Sequence, residues 1–491
     1  MRLMPGFDGR GRAAEPSVGN LQAATHETVT RSGRSRQLAW GVVTMALSRG
    51  IAVLVPVVLI PVMLPHLGAE LYGLWATTVA LTAMAAFADL GLGNGLMTKL
   101  GRCHAEDLVD QAKRYIASAY TALAVVALIT CASLWAMSDV IPWSRLFNAN
   151  GTVTASDATA IALVCLVGFA VSLPFTLIVR VQYAYQRTVQ SNLWQCGANL
   201  SPLPLVLTAV HTGMSPAAVV AAAAAGPLII TIANNVWYFT KQRPDLRPQL
   251  KYVERDAIRA LFKLSTLFLA LTIVMALANS SEPFVVAHAL DLRAVTDYSV
   301  AARLLAVLGS IVSVLNLPLW PTSADALAQG HGLWVRRTTR RMIAVSLVAV
   351  VTLSAVLVPA GEVVLQRWVD GAVSADPMLL VGFALWFLVL GATSPWLTVQ
   401  LAAGVVRPQL LGWSAYLLVS VPAKYVGAAL FGVVAIPYIG AAAFLATVLP
   451  AALHGYRRVL STCGDTRRRS LSDMAITTKF EHDQNRQATD V

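Results

Sequence analysis

Charge is what this chain has least of. Of its 491 residues only 13% are Asp, Glu, Lys or Arg, and acid is the scarcer sign, with 25 acidic residues against 37 basic ones. Soluble domains average about 25% charged residues, so a water-facing globular fold is a poor fit to this composition. Cysteine is scarce too: Cys103, Cys131, Cys165, Cys196 and Cys463 show no metal-ligand spacing and read as small apolar fillers. The sequence has no GxxxxGK[ST] nucleotide loop, no HExxH and no clustered His, Cys and carboxylate set. Neither a metal nor another cofactor is expected, and no catalytic constellation is visible, so the chain does not read as an enzyme.

What fills the space is apolar. Hydrophobic residues make up 56% of the chain, and the mean hydropathy is +0.63. About 20 apolar residues carry a helix across a bilayer core of about 30 Å. Stretches of about that length recur near 38–64, 70–90, 115–137, 158–179, 190–210, 215–239, 260–289, 297–321, 342–361, 377–401, 409–431 and 434–456. Their Leu, Ala and Val content suits helices, which satisfy their own backbone in lipid, rather than the alternating strands of a barrel. The expected fold class is an all-α polytopic membrane protein with about 12 transmembrane helices.

Cations set the orientation, because Lys and Arg are retained on the cytoplasmic side. Alternate connections, starting before the first span, hold 23 of them, whereas the opposite connections hold only Arg145, Arg293 and Arg367. That asymmetry places both termini in the cytoplasm, and it accounts for most of the net charge of +12 without nucleic acid. No cleaved signal is read at the N-terminus, since no short apolar h-region precedes the first span. The polar segments 1–37 and 459–491 lack apolar periodicity and are expected to be disordered.

A weak internal repeat suggests two halves. AKRYIA from Ala112 matches TRRMIA from Thr339, Tyr72 finds Tyr298, and Pro174 and Arg187 resemble Pro395 and Arg407, all at offsets of 220 to 227 residues. The expected organisation is a six-helix lobe over 38–240, a basic linker over 241–259 and a second six-helix lobe over 260–458. Both lobes then enter from the same side, as parallel repeats do.

Three segments carry a family resemblance. FADLGLGNGLMTKL, from Phe87 to Leu100, resembles the loop after the second helix of polysaccharide flippases in the multidrug, oligosaccharidyl-lipid and polysaccharide exporter superfamily. LNLPLWPTSADALAQGHGLWVRRTTRR, from Leu315 to Arg341, is similar to that group's exit from helix 8, and YGLWATTVAL at Tyr72 adds a third echo. The resemblance implies two lobes around a central cavity in the bacterial inner membrane. It also implies a lipid-linked oligosaccharide as cargo, with membrane lipids and other polysaccharide-assembly membrane proteins as partners.

Charged residues inside spans are costly and mark cavities or ion pairs. Arg49 lies about 16 Å into the first span at about 1.5 Å per residue. Arg303 lies in the eighth span and Lys424 in the eleventh. Three cations against one intramembrane carboxylate suit a diphosphate headgroup, whose oxygens a guanidinium fork matches, so Arg49, Arg303 and Lys424 are candidate substrate ligands. Arg303 or Lys424 could instead pair with the carboxylate or snorkel to the interface. That carboxylate, Glu282, precedes the helix-perturbing Pro283 and is a candidate for coupling to an H⁺ or Na⁺ gradient, or else an ion-pair partner. Asp89 with Gly91, Gly93 and Gly95 reads as a hinge or lobe contact. The Trp and Tyr residues near span edges read as an interfacial belt, and His66 and His288 as interface residues. Two alternatives stay open: a cation-coupled small-molecule exporter, which would want more cavity acid, and a membrane enzyme of glycan assembly, which would want a large outer loop.

Overall fold

The computed structural model describes residues 18–85, 91–149, 153–316, 319–369, 373 and 376–489, with side chains left undescribed for 18–39, 42, 94, 263–268, 321, 328 and 463–489. Asp89 therefore lies outside the described residues, as do most side chains of the two polar tails. Among the described residues all regular structure is helical.

The first half opens with α1 (Val18–Met84), which is two spans in one. At Gly68 the backbone takes φ 78° and ψ 164°, a conformation open to glycine and poor for other residues, and the chain turns there from its first crossing into its second. Gly91, left-handed at φ 68°, then starts α2 (Leu92–Ala105). Its Leu92, Leu96, Leu100 and Cys103 recur at helical spacing and are all buried, so one face of α2 packs inward. The glycine-rich exit is thus a helix start, and the N–H of Gly95 closes its first turn on the Gly91 carbonyl. There follow α3 (Val109–Ala136), the short α4 (Trp143–Leu146), α5 (Ala155–Ala184), α6 (Thr188–Leu200), α7 (Pro202–His211) and α8 (Pro216–Trp237). Thr154 caps α5 by accepting the Asp157 N–H at 3.1 Å.

The second half comprises α9 (Arg255–Ser280), α10 (Glu282–Ala289), α11 (Leu292–Asn316), α12 (Leu319–Ala328), α13 (Gly332–Trp368), α14 (Pro377–Ala402), α15 (Arg407–Phe431) and α16 (Ala435–Thr489). Among the described residues nine helices are long and apolar enough to cross a membrane, and α9 with α10, bent by 41°, makes a tenth. Two more crossings emerge once α1 is divided at Gly68 and α6 is joined to α7 across Ser201, giving the twelve that hydropathy suggests. The breaks have a common cause. Pro202 and Pro283 lack the N–H that a continuous helix needs at those points.

The halves repeat one plan. In the first, α3 packs on α5, α5 on α8, and α2 on α3 and α5; in the second, α13 packs on α14, α14 on α16, and α12 on α13 and α14. Ala112 and Thr339, matched in the sequence repeat, sit fully buried near the starts of α3 and α13. The exception to this division is α9. Its Ala257 and Leu261 are buried among α2, α3 and α5, whereas its Leu271 and Ala278 pack with α14, α15 and α16. Away from the cation-rich end, the halves meet where α1 crosses α11. There Thr296 donates to the carbonyl of Ala69, and a Cβ on Gly73 would lie only 1.9 Å from the Leu292 carbonyl oxygen.

Candidate functional site

Between the halves lies a cavity of about 440 Å³. Prolines shape it. Pro56, Pro227 and Pro283 all line it, and so do Ala52, Ala223 and Asn279, the residues whose carbonyls those prolines leave without an i+4 donor. Otherwise its wall is largely apolar, with Leu59, Met63 and Trp75 prominent.

Its charges are few and unequally paired. Glu282, the first residue of α10, is the one carboxylate among the described lining residues. Its Oε1 accepts from Lys424 Nζ at 2.7 Å, and its Oε2 accepts from the hydroxyl of Tyr298. Lys424 also donates to the Tyr416 hydroxyl at 3.0 Å, and its ammonium lies 5.3 Å from the Tyr416 ring centre. Gly440 gives it room, since a Cβ there would come within 3.2 Å of the lysine Cε. Lys424 is fully buried and absent from the cavity wall. The reading of Lys424 as a substrate ligand therefore meets a side chain already engaged by Glu282 and Tyr416, the arrangement that the ion-pair alternative describes. Arg303, by contrast, lines the cavity and has no carboxylate partner among the described residues. Since Lys424 balances Glu282, the guanidinium of Arg303 leaves the described lining with a net positive charge.

Arg49 faces a different space. It lines a pocket of about 390 Å³ in the first half, together with Gly93, Arg180, Tyr183, Asn192 and Gln195. A third pocket, about 360 Å³, lies between the two: it shares Trp75, Val79, Ala223 and Pro227 with the central cavity and Thr176 with the Arg49 pocket. The structure thus separates the proposed ligands that the sequence groups. Gly91 and Gly95 belong to the entry turn of α2, which packs on α9.

Several side chains were not singled out from sequence. Tyr298 entered only as half of a repeat pair, and Tyr416 carried no signal; both become visible only once Glu282 and Lys424 meet across 142 residues. Arg180 is one of the 23 cations that the topology assigns to the cation-rich connections. Its signal was available, since it interrupts the apolar run LIVRVQ inside α5 rather than following it. Three tryptophans near span edges make internal contacts: Trp143 is buried against Phe147, Trp75 lines the cavity, and Trp368 bonds to α1. His66 Nε2 contacts the Met214 carbonyl at 2.9 Å, and His288 Nδ1 that of Phe284 at 3.0 Å.

Solved transporters share this fold. An inward-facing multidrug resistance MATE family transporter of the MOP superfamily superposes with a TM-score of 0.66 at 13% identity, over 88% of this chain and 98% of its own. An outward-facing one gives 0.62 at 12%, over 87% and 96%. A MOP superfamily transporter from Pyrococcus furiosus, reported for the reverse polarity of its binding pocket, gives 0.62 at 11%, over 86% and 95%. The fold is that of the multi-pass membrane transporters of this superfamily. No curated protein matches the chain. Residues 38–326, more than half of the sequence, match the family described as polysaccharide biosynthesis protein, and the protein belongs to that family. The resemblance read from Phe87–Leu100 and Leu315–Arg341 is borne out. Arg49, Arg180, Glu282 and Arg303 all fall inside the matched segment.

Proposed function

We propose that this protein flips a lipid-linked oligosaccharide, carried on a polyprenyl diphosphate, from the cytoplasmic to the periplasmic leaflet of a bacterial inner membrane during cell-surface polysaccharide assembly. One observation carries the reading: Arg303 lines the central cavity with no salt-bridge partner among the described residues, while Glu282, on the same wall, is engaged by Lys424. A guanidinium inside a membrane span is costly and marks a cavity or a partner, and a diphosphate offers Arg303 a counter-charge in a bidentate geometry.

In this reading the cation-rich end faces the cytoplasm, the lobes rock about the cavity, and the contacts of α1 with α11 hold the periplasmic end shut. The diphosphate and sugars use the cavity while the lipid tail stays in the bilayer. Glu282 is the acid that an H⁺ or Na⁺ gradient would act on, and no catalytic residue is required. The largely apolar wall favours, as a second reading, a small-molecule exporter. Arg303 disfavours cationic drugs as its cargo.

The test is a deletion strain supplied with wild type, Arg303→Gln or Arg49→Ala at matched protein level. Accumulation of lipid-linked oligosaccharide on the cytoplasmic face, relieved by wild type and not by Arg303→Gln, supports flipping. Full relief by Arg303→Gln removes the observation on which the reading stands. No accumulation in the deletion, with drug sensitivity instead, would favour small-molecule export.

A further inference from the structure

We infer that Arg49 and Arg180 form a separate receiving station for the diphosphate, entered before the central cavity. The inference rests on the flippase reading and adds a second binding site to it. Arg49 from α1 and Arg180 from α5 line one pocket. Among the described residues no carboxylate lines it and neither guanidinium has a salt-bridge partner. Two like charges facing one space repel in the empty state. An anion seated between them relieves that repulsion and accepts from two forks at once.

The rest of the wall is built to stay polar and ordered. Tyr183 donates to Asn192 Oδ1 at 2.9 Å, and the Asn192 amide is held in turn by the Gly41 carbonyl and the Thr44 hydroxyl, both at 3.1 Å. Gln195 reaches the Tyr183 hydroxyl at 3.4 Å. These neutral groups fix the pocket without cancelling its charge. Arg180 lies one turn before the end of α5 at the cation-rich end, the side from which cargo arrives. From there the intermediate pocket leads through Thr176 to Trp75 and Val79 on the wall of the Arg303 cavity. The headgroup thus passes from a two-arginine station to a one-arginine station, and holding it more weakly at the second favours release on the far side.

The test uses purified full-length protein in lipid nanodiscs, with farnesyl diphosphate as probe and farnesol as the uncharged comparison. Arg180→Gln is expected to weaken farnesyl diphosphate binding about tenfold, as loss of a charge-assisted fork does. Arg180→Lys, which keeps charge but not the fork, should fall between it and wild type. Arg187→Gln, an exposed arginine at the same end of the chain segment and outside the pocket, should change binding less than about twofold, as a rim charge does. Equal losses in Arg180→Gln and Arg187→Gln would mean general surface charge and overturn the station. Wild-type binding in Arg180→Gln with loss in Arg303→Gln would overturn the station while leaving the flippase reading standing. Failure of wild type to prefer farnesyl diphosphate over farnesol would overturn both. If Arg180→Gln does not fold, Arg180→Lys carries the comparison, and wild-type affinity in it together with Arg49→Gln overturns the proposal.

Discussion

The indole N–H of Trp368, at the end of α13, donates to the carbonyl of Val57 in α1 at 3.0 Å. That carbonyl is the one Pro61, four residues on, leaves without its helical donor. A side chain from the second half therefore repairs a defect in the first, away from the cation-rich end. Trp368→Phe leaves a half-buried acceptor unmet and should cost about 1–3 kcal/mol. Pro61→Ala returns an N–H to Val57, so Trp368→Phe should cost less in that background. Thermal unfolding of the two single variants and the double variant measures the coupling, and additive losses would show that the indole does not serve this carbonyl.

Gly73 tests how tightly the halves meet. An added Cβ would lie 1.9 Å from the Leu292 carbonyl oxygen, which belongs to backbone and cannot swing aside. Overpacking of this kind costs about 1–3 kcal/mol, and separating α1 from α11 relieves it. Gly73→Ala should therefore open the cavity at the end away from the cation-rich face. A cysteine placed at Ser299, on the cavity wall, should then react faster with a membrane-impermeant thiol reagent added from that side. An unchanged rate would mean that this contact does not close the cavity.

The connection between the halves carries a pH signature. Arg243 binds Asp245 with two donors, Nε to Oδ1 at 3.0 Å and Nη2 to Oδ2 at 2.7 Å, and its guanidinium lies 4.7 Å from the Tyr185 ring centre. Hydrogen bonding to Arg243 holds the Asp245 carboxyl below its usual range. A depressed carboxyl stabilises the fold above its unfolded pKa, about 3.9, and loses that contribution as pH falls through the folded value. The pair is partly exposed, so the effect is small. The unfolding midpoint of Arg243→Gln should sit slightly below that of wild type above about pH 5, and the gap should close below about pH 4. A gap constant with pH would assign the loss to stacking on Tyr185 alone.

Sequence reading reached the spans because crossing a bilayer imposes a length and a composition that each segment shows by itself. It reached Glu282, Pro283 and Arg303 for the same reason, since charge and proline inside an apolar run are visible locally. Partnership is not local. Nothing in the sequence around Lys424 says that its ammonium meets Glu282 rather than cargo, because the contact depends on how α15 packs against α10. Counting cations by connection likewise hid Arg180, since a tally of charge near a span end does not say which way a helix turns the side chain. The glycine-rich stretch after the second span showed no periodicity strong enough to reveal α2, whose buried face rests on four residues.

The Glu282 and Lys424 pair gives the sharpest division between structure and coupling. Lys424 is fully buried and the Glu282 side chain is only 20% exposed. Removing one member of such a pair strands the other and costs about 3–5 kcal/mol, whereas replacing both with neutral groups is often tolerated. Glu282→Gln and Lys424→Met should each lower the unfolding temperature and the protein level, and the double variant should recover most of both. Transport then separates the roles. If the recovered double variant still moves cargo and still responds to collapse of the proton or sodium gradient, Glu282 is a structural anchor holding α10 to α15. If it moves cargo but no longer responds, Glu282 is the coupling group, and Lys424 is the charge that its protonation or cation binding would release from the pair.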